Sequence, residues 1–351
     1  MHQVSRRHHM ANMTMQNPLG EKPVGRLLIQ YAIPSIVSTL LSSLYNIVDQ
    51  IFIGQRIGYL GNAATTVAYP LTILCGALTL LMGTGASVLF NILNGKNKQD
   101  EAMHYAGTGI AVLIFEGIIV GLLVGIFTPA FVYLFGATQE VSPYAITYMR
   151  IIAIGIPFMM LTTGGTLLIR SDGSPRYALL ISLAGVACNF VLDYLFLFPM
   201  NMGIAGAALA TIIGQILSAV MVLSYLIHFK TAKFRRSHFT VSLSNLKQIV
   251  AIGAAASLNQ AAMLVMNLVL NSSLRYYGGL SEYGSSEALA AAGIVTKTSF
   301  LFYATMIGCS IGGQPIMGFN YGAEKYDRVR KTYLLILTYA LVAGIIETAC
   351  F

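Results

Sequence analysis

The sequence predicts an all-α polytopic membrane protein built as two related helical bundles, and three observations predict it. Hydrophobic residues make up 56% of the 351 positions and charged residues only 10%, against roughly 25% charged in soluble domains; mean hydropathy is +0.70. The apolar residues fall in runs long enough to cross a bilayer, which takes about 20 residues of helix. Two blocks from the first half also recur in the second. A chain of this length holds at most about a dozen spans, which excludes a large soluble domain.

Residues 1–24 read as a cytoplasmic leader, polar and without the apolar stretch of a secretory signal; its His2, His8 and His9 read as solvated. The first span, Leu27 to Ile53, carries Pro34, which removes one backbone hydrogen bond and allows a bend. Fifteen positions later it carries Asp49. An ionisable group in hydrocarbon costs on the order of 3 kcal/mol or more, so one that is kept there marks an ion or substrate path. Spans follow at about 62–93, 105–134, 143–169, 176–199 and 203–229, completing a six-helix bundle over 25–229. A basic linker at 230–246 leads to spans at about 247–274, 288–319 and 332–351, about three helices of a second bundle over 247–351.

The repeat links the halves. GTGASVLFNILNGKNKQD (83–100) aligns with SIGGQPIMGFNYGAEKYD (310–327), putting Gly85 on Gly312 and Gly95 on Gly322. Upstream, residues 32–50 align with 254–272, with Asn271 standing where the first half has Asp49. Such a parallel repeat implies two bundles facing across a cleft.

The net charge of +8 would suggest nucleic acid for a soluble protein, but here the basic residues set topology. Of the 21 Lys and Arg, 17 fall on alternate loops: Arg6 to Arg26, Lys96 and Lys98, Arg170 and Arg176, Lys230 to Lys247, and Lys325 to Lys331. By the positive-inside rule the amino terminus is cytoplasmic. Cys75, Cys188, Cys309 and Cys350 lie in apolar segments without metal-ligand spacing, so no metal cluster is expected.

Several polar side chains stand in apolar helices. Asp193 follows Asn189 by one turn on the same face, as a cation or proton site requires, although Asn189 also reads as a residue that glues helices together. Thr211 lies among Gly and Ala, where helices approach closely, and also reads as a hydroxyl bonded to its own backbone. Tyr45, one turn before Asp49, offers a ring to an aromatic cation or packs in the core. Lys297 reads as a substrate contact or as a snorkelling side chain. Glu116 and Glu347 read as proton carriers, as protonated lipid-facing groups or as interfacial residues.

The strings AIPSIVSTLLSSLYNIVDQIFIGQ, GNAAT, SDGSPRYA, NFVLDYLF and GGQPIMGFNYGAEKYDRVRK resemble the multidrug and toxic-compound extrusion (MATE) transporters, in particular their MepA-like bacterial branch, from about Gly25 onward. The resemblance implies two six-helix lobes in a V, export of cationic, aromatic drug-like compounds across the lipid membrane, and a proton or sodium gradient as the driving force with no other cofactor. It puts the cation site on Asp49, Asn189, Asp193 and Thr211 and the bend on Pro34; Tyr45, Asn271, Lys297 and Gln314 are candidate substrate-cleft residues. Two positions depart from the family pattern. Asn259 and Gln260 stand where some members carry an acid in the seventh helix, and the tenth-helix acid would lie past Phe351. Other readings stay open. They are a flippase for lipid-linked precursors, which calls for Arg or Lys in the cleft, and an inactive transporter fragment. An intramembrane aspartyl protease needs its paired acids in YD and GxGD strings, whereas Asp49 follows Val48 and Asp193 follows Leu192.

Overall fold

The computed structural model describes residues 17–137, 139–282 and 284–350, leaving out some side chains between 267 and 302 and those of 347 and 350. His2, His8 and His9 and the side chains of Asn271, Lys297 and Glu347 therefore lie outside the described residues. Among the described residues there are nine long helices: α1 (Val24–Arg56), α2 (Tyr59–Gly95), α3 (Gln99–Ile126), α4 (Ser142–Ser171), α5 (Pro175–Leu197), α6 (Gly203–Ile227), α7 (Leu243–Gly279), α8 (Gly284–Gly322) and α9 (Tyr326–Cys350). Eight of them are long and apolar enough to cross a membrane.

Apolar runs of this length form helices because hydrocarbon offers backbone N–H and C=O groups no partner outside their own segment. The outward face is apolar too. On α3, Phe115, Leu122 and Ile126 are each more than 60% exposed, whereas small residues such as Ala106, Gly109 and Gly117 face neighbouring helices. That is the reverse of a soluble helix, and it suits a lipid environment.

One predicted span needs correction. The stretch expected at 105–134 starts earlier, at Gln99, and stops at Ile126; Thr128–Leu134 form a separate short helix. Pro129, in the first turn of that helix, has no N–H to continue the ladder. The Thr128 hydroxyl instead donates to the Val124 carbonyl at 2.6 Å.

The described end of the leader is helical. Residues 18–21 form a helical turn, capped by Asn17 Oδ1, which accepts from the Leu19 N–H at 3.0 Å. Leu19 is buried against Ile316 and Phe319. Arg328 donates to the Leu19 and Lys22 carbonyls at 3.0 and 2.7 Å, and Lys325 to that of Gly20 at 3.0 Å. Two basic residues, Lys325 in the repeat block and Arg328 just after it, thus pin the start of α1.

The basic linker is docked as well. Asp172, just past α4, accepts from the Lys230 N–H at 2.6 Å and from the Tyr225 hydroxyl at 2.9 Å. Its other oxygen accepts from the Thr231 N–H at 2.8 Å and the Thr231 hydroxyl at 2.6 Å. Burial raises the Asp172 carboxyl above its ordinary value, against the pull of these donors. Further along, buried His238 accepts the Arg235 N–H at Nδ1, 3.0 Å, and meets Asp100 Oδ1 through Nε2 at 3.2 Å.

The repeat is realised in the packing. Helix α2 packs along α7, and α8 packs along α1. A Cβ on Gly85 would collide with the backbone of Ile249 at the start of α7, and one on Gly312 with Ala32 near the start of α1. Repeat-related glycines therefore let repeat-related helices approach to backbone contact. Thr39 ties the second pair further, its hydroxyl lying 2.8 Å from the Ala304 carbonyl.

Candidate functional site

Helices α1, α4, α5 and α6 bring one cluster of polar groups together inside the first half. Asp49 of α1 is 7% exposed and Asp193 of α5 is 1% exposed. Their carboxyl groups are within hydrogen-bond reach of each other, yet Oδ1 of each is buried with no partner. Two facing carboxyl groups repel unless a proton or a cation lies between them. Asn189, one turn before Asp193, is hydrogen-bonded to it. Its Nδ2 also lies 3.4 Å from Thr211 Oγ1, and its Oδ1 is buried and unpartnered.

Close packing makes this geometry possible. A Cβ on Gly214 of α6 would sit 2.8 Å from the Gly185 carbonyl and 3.2 Å from the Asn189 Cβ on α5. Only glycine lets α6 bring the Thr211 side chain against Asn189. The Thr211 hydroxyl lies 3.1 Å from the Tyr45 hydroxyl and is also hydrogen-bonded to Tyr148 of α4. The donor set is all oxygen, with three orphaned carbonyl-type oxygens on buried side chains. Such a set suits a proton or a hard cation.

The cluster borders a cavity of about 320 Å³ lined mainly by these four helices. Tyr45, Asn189 and Thr211 line one part of it, and hydroxyls such as Ser38, Thr162 and Ser182 line the rest. Arg170 also lines it and is only 7% exposed. This revises the topology count, in which Arg170 stands as a loop charge: the last turn of α4 turns it inward.

The structure thus brings Asp49, Asn189, Asp193, Thr211 and Tyr45 together. Pro34 is buried in α1, one turn before the cavity-lining Ser38, and the helix runs through it unbroken. Gln314, half-buried on α8, does not line the cavity, to which that helix contributes Ile311. Glu116 stays apart: its Oε2 is buried without a partner near Cys75. Tyr148 went unrecognised in the sequence, where nothing separates it from Tyr144 one turn earlier. Only the packing of α4 against α6 selects it.

Asp100, His104 and His238 outside this cluster are close enough together to hold a metal ion. The hydrogen bonding of His238 opposes it. With Nδ1 accepting an amide N–H, a neutral ring carries its proton on Nε2, which then has no lone pair to offer.

Comparison with known proteins follows the same division into halves. The MatE family model matches residues 34–195 and 248–351, both sides of the linker. The chain belongs to the MatE family. It is 26% identical over 332 residues to the probable multidrug resistance protein YoeA of Bacillus subtilis, covering 91% of the chain and 70% of that relative. To the multidrug export protein MepA of Staphylococcus aureus it is 26% identical over 308 residues, covering 87% and 66%. An outward-facing MATE family transporter of the MOP superfamily superposes with a TM-score of 0.88 at 22% identity, covering 96% of this chain and 73% of that one. The MATE multidrug transporter DinF-BH, solved in complex with R6G, gives 0.85 at 28%, covering 94% and 73%. The protein is accordingly a multi-pass member of a multidrug efflux transporter family, and it spans about two thirds to three quarters of these relatives' lengths.

Proposed function

We propose that this MatE protein is a cation-coupled antiporter, exporting cationic, aromatic drug-like compounds in exchange for protons or sodium ions. The observation that carries the reading is the facing pair Asp49 and Asp193, buried beside a cavity and each holding an unpartnered oxygen. A proton or sodium ion between the carboxyls removes their mutual repulsion and draws α1 toward α5. Releasing it restores the repulsion, which favours a different position of α1 about Pro34. A ligand shifts such an equilibrium only through its differential affinity for the two states, and the acid pair supplies that difference. In this reading α1–α6 form the first lobe, α7–α9 belong to the second, and the basic loops face the cytoplasm of an inner membrane.

The test is dye efflux from cells carrying the protein, with Asp49→Asn and Asp193→Asn compared with the unaltered chain. Each substitution keeps the shape and removes the charge. Efflux is expected to fall at least tenfold in both, and the unaltered protein is expected to lose efflux when the relevant ion gradient is collapsed. Full efflux in either variant sinks the proposal. Replacing sodium with choline in the medium distinguishes the two coupling ions.

A further inference from the structure

The cavity has a second charged pole that the acid cluster does not use. Arg170 is 7% exposed and lines the cavity. Among the described residues its guanidinium makes no hydrogen bond and no ion pair, and Nε is buried without a partner. Arginine stays protonated, so this is a buried, uncompensated positive charge, which a fold retains only where something pairs with it. No nearby acid is free to do so. Asp172 is engaged by Tyr225, Lys230 and Thr231; Asp49 and Asp193 face each other; Glu116 lies near Cys75.

Two hydroxyls on the cavity wall, Ser38 Oγ and Thr162 Oγ1, are also buried and unpartnered. Along α4 the lining residues run from Met159 to Arg170, eleven positions or about 16 Å of helix. The cavity is therefore an elongated slot, with oxygen acceptors at Asn189 and Thr211 and a forked cation at Arg170. A purely cationic guest would be repelled at Arg170, whereas an acidic group would meet five N–H donors in the planar arrangement that binds carboxylate or phosphate through two oxygens.

We infer that Arg170 is a specificity-determining residue of the cavity, anchoring an acidic group, a carboxylate or phosphate, of the compound that enters it. This rests on the cavity being the transport path of the proposed antiporter.

The test uses the full chain in lipid nanodiscs and two rhodamines that differ in one group, one with a free carboxylic acid and the other its ethyl ester. Binding is read at equilibrium by fluorescence polarisation. Arg170→Gln is expected to lose at least tenfold more affinity for the acid than for the ester. Arg170→Lys should fall between, since it keeps the charge and loses the fork. In the unaltered protein, benzoate should displace the acid dye and spare the ester. Equal loss of both dyes in a monodisperse Arg170→Gln sample overturns the inference, as does no loss of either. Absence of saturable acid binding to the unaltered chain, or benzoate displacing both dyes or neither, overturns it too. The benzoate arm needs no variant, so it decides the matter even if Arg170→Gln fails to fold. These affinities are independent of energised efflux: failure of ion coupling leaves them standing, and failure of acid binding leaves coupled export of the ester standing.

Discussion

Gly95 and Gly322 occupy equivalent positions of the internal repeat, and each leaves no room for a side chain against the helix that carries the other. A Cβ on Gly95 would strike the carbonyl of Phe319, and a Cβ on Gly322 would strike that of Ile92. The contact is reciprocal, as expected where a two-fold relation joins α2 to α8. Substituting alanine at either glycine therefore forces two backbones apart. Overpacking of this kind costs about 1–3 kcal/mol. Both Gly95→Ala and Gly322→Ala should lower the melting temperature measured by fluorescence-detected size exclusion. The double variant should lose less than the sum of the two, because both act on one contact. Additive losses would mean that the two glycines are energetically separate.

Tyr148 tests whether the polar cluster works as a unit. Its hydroxyl bonds to Thr211, which also meets Tyr45 and Asn189. Tyr148→Phe removes one neutral hydrogen bond, worth about 1 kcal/mol of stability, and leaves the ring in place. Thermal stability should change little while dye efflux drops severalfold, since the hydroxyl helps hold Thr211 beside the acid pair. If efflux is unaltered, Tyr148 is packing only.

How much of this was legible in the sequence depends on the kind of interaction. The spans were readable because hydrocarbon imposes one length and one composition on every crossing. Asp49 and Asp193 stood out for the same reason: a carboxylate in an apolar run has few structural explanations. That the two share a site came only from the family resemblance, since nothing along the chain itself fixes how α1 and α5 rotate about their axes. Arg170 was misread because a basic residue near a helix end counts toward topology whether it faces water or the interior. Tyr148 was missed for a related reason: aromatic residues are ordinary in such helices, and only Thr211 on α6, the helix packed against α4, gives this one a polar task.

Asp172 shows what the loops contribute. The carboxylate gathers four donors, three of them from Lys230 and Thr231 at the start of the linker. Asp172→Asn replaces one acceptor oxygen with an NH₂ group that faces a donor. Hydrogen bonds to a charged group are worth about 1.5–3 kcal/mol each, so a loss on the order of 3 kcal/mol is expected. A melting temperature within one degree of the unaltered protein would contradict this account of the linker.

His238 holds the far end of the same linker through Arg235 and Asp100. Removing the ring in His238→Ala should free the exposed Lys233, Arg235 and Arg236 for trypsin, with faster cleavage at this site than in the unaltered chain. Added zinc should leave both the cleavage rate and the melting temperature unchanged, because the Arg235 amide occupies Nδ1 and keeps the proton on Nε2. A zinc-dependent rise in protection would show that the ring reverses its tautomer and binds metal.

Pro34 separates stability from transport. Inside α1 its ring nitrogen has no hydrogen to give to the carbonyl of Gln30 four residues earlier, so that turn of the helix is one bond short. Next to it, Ser35 donates its hydroxyl to the Tyr31 carbonyl of its own helix, a contact that eases bending. Pro34→Ala supplies the missing hydrogen bond and straightens the energetic preference of the segment. The variant should melt at or above the temperature of the unaltered protein, yet export dye several times more slowly, because the two positions of α1 no longer lie close in free energy. A lower melting temperature with normal efflux would mean that Pro34 serves the packing of α1 against α8 instead of its movement.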